Sequence, residues 1–190
     1  MINRRTFVGL GAGAALGSIN LSAEMKQGKP APELVIAMNS GEQVLLSKFK
    51  GKVVVLEILL TTCPHCQKCA GTMQKLYAEM GGAFQPLGAA INPNDMGEAR
   101  LMIPQFISSL GLKYPVGWTQ RDMAYGWLGA DPGKGSVYFP QVIIIDKMGV
   151  VHEYHPATDQ KFFDDEENNL RKTITALLKP GSGVAGKKGG

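Results

Sequence analysis

The stretch Glu57-Ile58-Leu59-Leu60-Thr61-Thr62-Cys63-Pro64-His65-Cys66-Gln67-Lys68-Cys69 decides how the chain folds. An apolar run of strand character ends there in a Cys-x-x-Cys pair, and helix-forming residues follow it. The first turn of a helix has backbone N–H groups without intrahelical partners, and the positive end of its dipole lies there. A thiolate is favoured at that position, so Cys63 is expected to be the nucleophile of the pair. Pro64 suits the first helical position, because the N–H it lacks is one that would go unpaired. His65 can add a donor or a positive charge beside the sulfur, and Cys66, about one turn on, is placed to resolve a mixed disulfide.

Cys63, Cys66 and Cys69 also spell C-x2-C-x2-C, the start of an iron–sulfur pattern, but the next ferredoxin-type position is Met73, which is not a ligand. No second Cys/His cluster of zinc-finger spacing follows, and His152 and His155 are far off in the sequence, so no metal is expected. Cys69 reads as a small buried apolar residue of the helix.

At 190 residues, 44% hydrophobic and 19% charged, the chain has the make-up of one soluble globular domain. Its 20 basic and 16 acidic residues give a formal charge of +4, and two of the basic ones, Arg4 and Arg5, sit at the very start. Near balance elsewhere gives no reason to expect nucleic acid as a partner.

Residues 1–23 open with Arg4-Arg5, continue through a Gly/Ala/Leu stretch and finish in Leu21-Ser22-Ala23. That order predicts a signal peptide cut after Ala23, and Arg4-Arg5-Thr6-Phe7-Val8 fits the twin-arginine type, with a general secretory signal as the alternative. The apolar part is too short to span a bilayer, so no stable membrane insertion is expected. Export to the periplasm or another oxidising compartment suits a catalytic cysteine pair.

Beyond the signal, Leu34-Val35-Ile36 and Val44-Leu45 flank a turn at Asn39-Ser40-Gly41-Glu42 and predict a hairpin. A buried strand is expected over residues 53–60, a helix to about Met80 closed by Gly81-Gly82, and a second buried strand over 87–91. A helix over 97–110 carries Leu101, Phe106, Ile107 and Leu110 at helical spacing, and a short edge segment is expected over 114–118. A short helix over 122–128 and a Gly-rich loop over 129–135 lead to a hairpin of Val142-Ile143-Ile144-Ile145 with residues 150–154. One helix over 162–178 closes the domain, which is expected to cover residues 24–179, with 180–190 as a disordered Gly/Lys-rich tail.

This order predicts an α/β fold with a mixed central β-sheet flanked by helices and an N-terminal β-hairpin extension. Together with Ala31-Pro32-Glu33-Leu34, the segment Leu46-Ser47-Lys48-Phe49-Lys50-Gly51-Lys52, the Cys63 to Cys66 motif and Phe139-Pro140-Gln141-Val142, it resembles the thioredoxin-like TlpA/ResA-type thiol-disulfide oxidoreductases of bacterial envelopes. The resemblance implies a thioredoxin-like fold and thiol-disulfide exchange without a cofactor. It implies that Pro140 is cis and lies against the cysteine pair, with Phe139 before it docking substrate. Glu57, six residues before Cys63, takes the place of the buried acid of thioredoxins and is a candidate proton relay for Cys66. The implied partners are proteins with disulfides or thiols, and a membrane thiol carrier as electron donor.

Two residues depart from the pattern. Thr62 stands where the family usually has tryptophan, which makes the substrate-facing surface more polar. Pro64-His65 is the dipeptide of DsbA-type oxidants, so the scaffold implies a reductase while the dipeptide pulls toward an oxidant. A peroxiredoxin needs Pro-x-x-x-Thr-x-x-Cys, and Leu56 and Leu60 occupy those places. A copper-binding metallochaperone using Cys63, Cys66 and a histidine is the remaining alternative.

Overall fold

The computed structural model describes residues 24–180. The expected signal over residues 1–23 lies outside them, as does the expected tail apart from Pro180.

Seven strands form one mixed sheet: β1 (Val35–Ala37), β2 (Gln43–Leu45), β3 (Val54–Leu59), β4 (Gln85–Ala90), β5 (Val116–Trp118), β6 (Gln141–Ile145) and β7 (Val151–Pro156). Their spatial order is β2-β1-β5-β4-β3-β6-β7. The pairs β3/β4 and β4/β5 are parallel and the rest antiparallel. Strands β3, β4 and β6 are buried at every position, which is why their sequences lack polar alternation. The helices are α1 (Pro64–Glu79), α2 (Met96–Leu110), α3 (Arg121–Leu128), α4 (Gln160–Phe163) and α5 (Glu166–Leu178).

The expected α/β architecture and its N-terminal hairpin are present, with three local differences. First, β5 is interior rather than at the edge, because β1 pairs with it through Ala37 and Trp118. Gly117 makes this approach possible: a Cβ there would sit 2.7 Å from the carbonyl oxygen of Ala37. Second, Leu101 is 75% exposed, and the inward face of α2 is Ala99, Ile103 and Phe106. Leu101 lies two residues from both Ala99 and Ile103, a rotation of about 200° that turns it to solvent. Third, the expected last helix is broken at Asp164-Asp165 into α4 and α5. The break buries the adjacent Phe162 and Phe163 together and restarts the chain with Glu166 turned inward.

Helix α1 buries Cys66, Cys69, Ala70, Met73 and Leu76, spaced three and four apart on one stripe. Helix α5 lies beside it, burying Leu170, Ile174 and Leu177. An exposed Lys75 to Glu167 ion pair at 2.8 Å spans the two helices. This packing brings the start of α5 to the inner side of the cysteine helix.

Candidate active site

Cys63 is the N-cap of α1, with extended backbone angles (φ −84°, ψ 119°) and Pro64 at the first helical position. Its Sγ accepts a hydrogen bond from the Cys66 N–H at 3.4 Å, so the sulfur takes up one of the donors that a helix start leaves free. Cys63 is half-buried, while Cys66 and Cys69 are fully buried, and all three are free thiols. The pair thus has one reachable sulfur, Cys63, and one sheltered sulfur, Cys66, three residues on.

His65 does not stand beside the sulfur as a donor. Its ring packs edge-on against Phe163, centroids 4.6 Å apart, and among the described residues no hydrogen bond joins it to Cys63. Thr62 is exposed next to Cys63, beside a groove of about 210 Å³ that runs between Gln67, Met102, Gln105 and Ser109.

The Phe139-Pro140 peptide is cis, as the resemblance implies. The Cys63 thiol donates to the Phe139 carbonyl at 3.7 Å, so this loop lies against the exchange pair. Phe139 stacks on Tyr125, and Gln141 braces the loop by donating to the Tyr138 carbonyl and accepting from the Tyr154 hydroxyl.

A second brace holds the loop before Cys63. Asn92 accepts from the Thr61 N–H at 2.8 Å and donates to the Thr61 hydroxyl at 2.9 Å, while Gln67 donates to the Thr61 carbonyl at 3.0 Å. Sequence reasoning missed Asn92 and Gln141, since a lone amide carries no signal until folding shows what it faces.

The inner side of the pair is acidic and dry. Glu57 lies in β3 between Gly88 and Val142 of the neighbouring strands and is 0% exposed. Burial raises its pKa well above the usual carboxylate range, with Glu166 and Cys63 adding to the rise. Burial likewise pushes the Cys66 thiol far up, with the Glu57 charge as the next cause. Glu166, unremarked in the sequence, is 3% exposed, and burial raises its pKa too.

Among the described residues no group of three or more His, Cys, Asp or Glu side chains is arranged to hold a metal ion. Nor is any described helix long and apolar enough to cross a membrane.

A sheltered thiol behind a reachable one at a helix start, on a mixed sheet and against a cis-proline loop, defines a thioredoxin-like thiol-disulfide oxidoreductase. The chain belongs to the redoxin family, whose model matches residues 26–174. It is 31% identical over 130 residues to the thiol-disulfide oxidoreductase ResA of Bacillus anthracis, covering 68% of this chain and 69% of that protein. Solved structures share the fold. A provisionally assigned protein disulfide isomerase from Bacteroides thetaiotaomicron superposes with a TM-score of 0.64 at 24% identity, covering 83% of this chain and 92% of that one. A provisionally assigned thiol:disulfide interchange protein DsbE from Chlorobium tepidum gives 0.64 at 20% identity, covering 82% and 100%.

Proposed function

We propose that this enzyme exchanges disulfides with substrate proteins through Cys63 and Cys66, working as a reductase. The observation that carries the reading is the position of the Cys63 sulfur: half-buried at the start of α1, bonded by the Cys66 N–H, and facing the Phe139 carbonyl. The Cys63 thiolate attacks one sulfur of a substrate disulfide, forms a mixed disulfide and releases the other sulfur as a thiolate. Cys66 then loses its proton to Glu57 and attacks Cys63, which closes the Cys63-Cys66 disulfide and frees the second substrate thiolate. The enzyme is oxidised by two electrons and the substrate reduced by two.

Thr62, Phe139 and Pro140 form the surface on which the substrate backbone docks, beside the groove at Thr62. Pro64 fixes the start of α1, and His65 packs that turn onto Phe163. Re-reduction needs an external thiol donor, for which a membrane thiol carrier is the partner class the family suggests. The segment over residues 1–23 supports export, where such a carrier can be met. Pro64-His65 supports the opposite direction, and the reduction potential separates the two.

Substitution of the two cysteines tests the scheme. Cys66→Ser should accumulate a stable mixed disulfide through Cys63 when mixed with a disulfide-bonded protein, and Cys63→Ser should trap nothing and lose all turnover. Full turnover by Cys63→Ser would overturn the assignment.

A further inference from the structure

The exchange scheme leaves a problem on the inner side of the pair. The proton that Cys66 gives up lands on Glu57, which is 0% exposed and has no direct path to water. Glu166, the first residue of α5, is the other buried carboxyl on this side. Both oxygens of Glu57 and both of Glu166 are buried without a hydrogen-bond partner, although proteins seldom leave such atoms orphaned. Neither carboxyl bonds the Cys69 thiol at normal geometry. Even so, that thiol is close enough to act on both, lowering each pKa by less than burial raises it.

The surroundings are otherwise sparse. The thiols of Cys63, at the cap of α1, and of Cys66 and Cys69 within it act electrostatically with Glu57, as does Glu166 of α5. Tyr114, just before β5, is a further polar group here, and its hydroxyl is held by the Ala70 carbonyl at 3.3 Å. Lys68 and His65 of α1 face Glu166 and favour its charged form, as does its place in the first turn of a helix. Two buried carboxyls, the charge of one raising the pKa of the other, do not both ionise readily.

We propose that Glu57 and Glu166 share a proton across Cys69, and that Glu166 is the port through which the proton from Cys66 leaves the protein. The proposal rests on the reading of Cys66 as the resolving thiol. The shared proton rests on Glu57, the more deeply buried acid. When it shifts to Glu166, Glu57 becomes a carboxylate and accepts the Cys66 proton as the Cys66 sulfur attacks Cys63. The pair then carries two protons, and one departs from Glu166, which is buried but directly follows the exposed Asp164-Asp165 break. Glu166 acts through Glu57 and is therefore a positioning residue rather than a catalytic one.

The test follows the full-length enzyme reacting with 5,5′-dithiobis(2-nitrobenzoate). Attack by Cys63 releases one nitrothiobenzoate in a first phase, and attack by Cys66 on the mixed disulfide releases the second. Glu166→Gln should leave the first phase unchanged and slow the second at least about tenfold at neutral pH, less than the roughly 10²–10⁴-fold of a group that itself takes the proton. The inflection of the second phase should also move to lower pH, because the charge that raises the Glu57 pKa is gone. Glu166→Asp should restore both in part. Cys69→Ala, which removes the thiol that acts on both acids and keeps both of them, should slow the second phase likewise, and it carries the test if Glu166→Gln melts early. A second phase in either variant with the wild-type rate and pH profile overturns the proposal. Survival of that phase in Cys66→Ser would instead overturn the exchange scheme, which keeps the two failures distinct.

Discussion

The Cys63 sulfur lies 3.7 Å from the carbonyl oxygen of Phe139, although the two residues reach the site on separate elements. Cys63 is held by the end of β3 and the start of α1, Phe139 by the loop entering β6. Strands β3 and β6 are antiparallel neighbours, with Ile58 opposite Gln141, so the sheet itself sets the sulfur against the loop. An extended substrate passing over Phe139 would bring its disulfide to Cys63 with little further ordering of the enzyme.

Asn92 should govern the precision of this arrangement. It satisfies both the backbone N–H and the hydroxyl of Thr61, which is 6% exposed. Asn92→Ala leaves those groups unpaired, and the chain should lose roughly 1–3 kcal/mol of stability. Urea denaturation reads the loss, and stopped-flow measurement of the Cys63 reaction should show it slowed as well. Unchanged stability would mean that the loop is held by other contacts.

Glu57 should weaken the fold it serves. Its pKa is raised in the folded state, so the folded chain holds that proton more tightly than the unfolded one does. Stability accordingly falls as pH rises from the ordinary value of 4.5 toward the folded pKa. Glu57→Leu removes this dependence together with two orphaned oxygens. The variant should gain roughly 1–3 kcal/mol at pH 7, with the gain shrinking toward pH 4, while resolution by Cys66 slows. Denaturation curves at the two pH values check this, and a loss of stability at pH 7 would contradict it.

A separate pH effect belongs to the edge strand β7. Burial lowers the His155 pKa, but hydrogen bonds with Glu153 at 3.1 Å and Asp159 at 2.8 Å outweigh it, so the net shift is upward. The charged imidazolium then stabilises the fold below its ordinary pKa of 6.5, and that contribution is lost as pH rises through the folded value. The Glu153 pKa is lowered, first by the His155 hydrogen bond, so its share is present above its ordinary value of 4.5. The stability gap between wild type and His155→Gln should therefore be widest between pH 4.5 and 6.5. Above that window it should narrow to what is lost by unstacking the ring from Phe162. A gap that widens with rising pH would contradict this assignment.

Much of the site was legible in the chain because its parts are local. A strand running into a helix through Cys63-Pro64-His65-Cys66 fixes the pair at a helix start without tertiary information. The burial of Glu57 and Cys69 was legible too, the first from its apolar strand and the second from its residue type. What escaped depends on contacts between distant segments. Asn92 reads as a loop residue until it meets Thr61, and Glu166 reads as one more acid in a polar stretch until the break at Asp164-Asp165 turns it toward α1. The interior place of β5 was hidden for the same reason, since three residues carry little pattern and their neighbour β1 comes from the opposite end of the domain. Leu101 misled because it falls in step with other apolar residues of α2 while facing away from the stripe that packs.

The most direct test of the reductase reading is the equilibrium reduction potential of the Cys63/Cys66 pair, measured against glutathione with the two thiols counted by mass spectrometry. A value near about −270 mV, in the range of thioredoxin, is the expected result and makes the pair a donor of electrons to substrate disulfides. A value near about −120 mV, in the range of the strongest protein oxidants, would contradict it and make Pro64-His65 the feature that sets the direction.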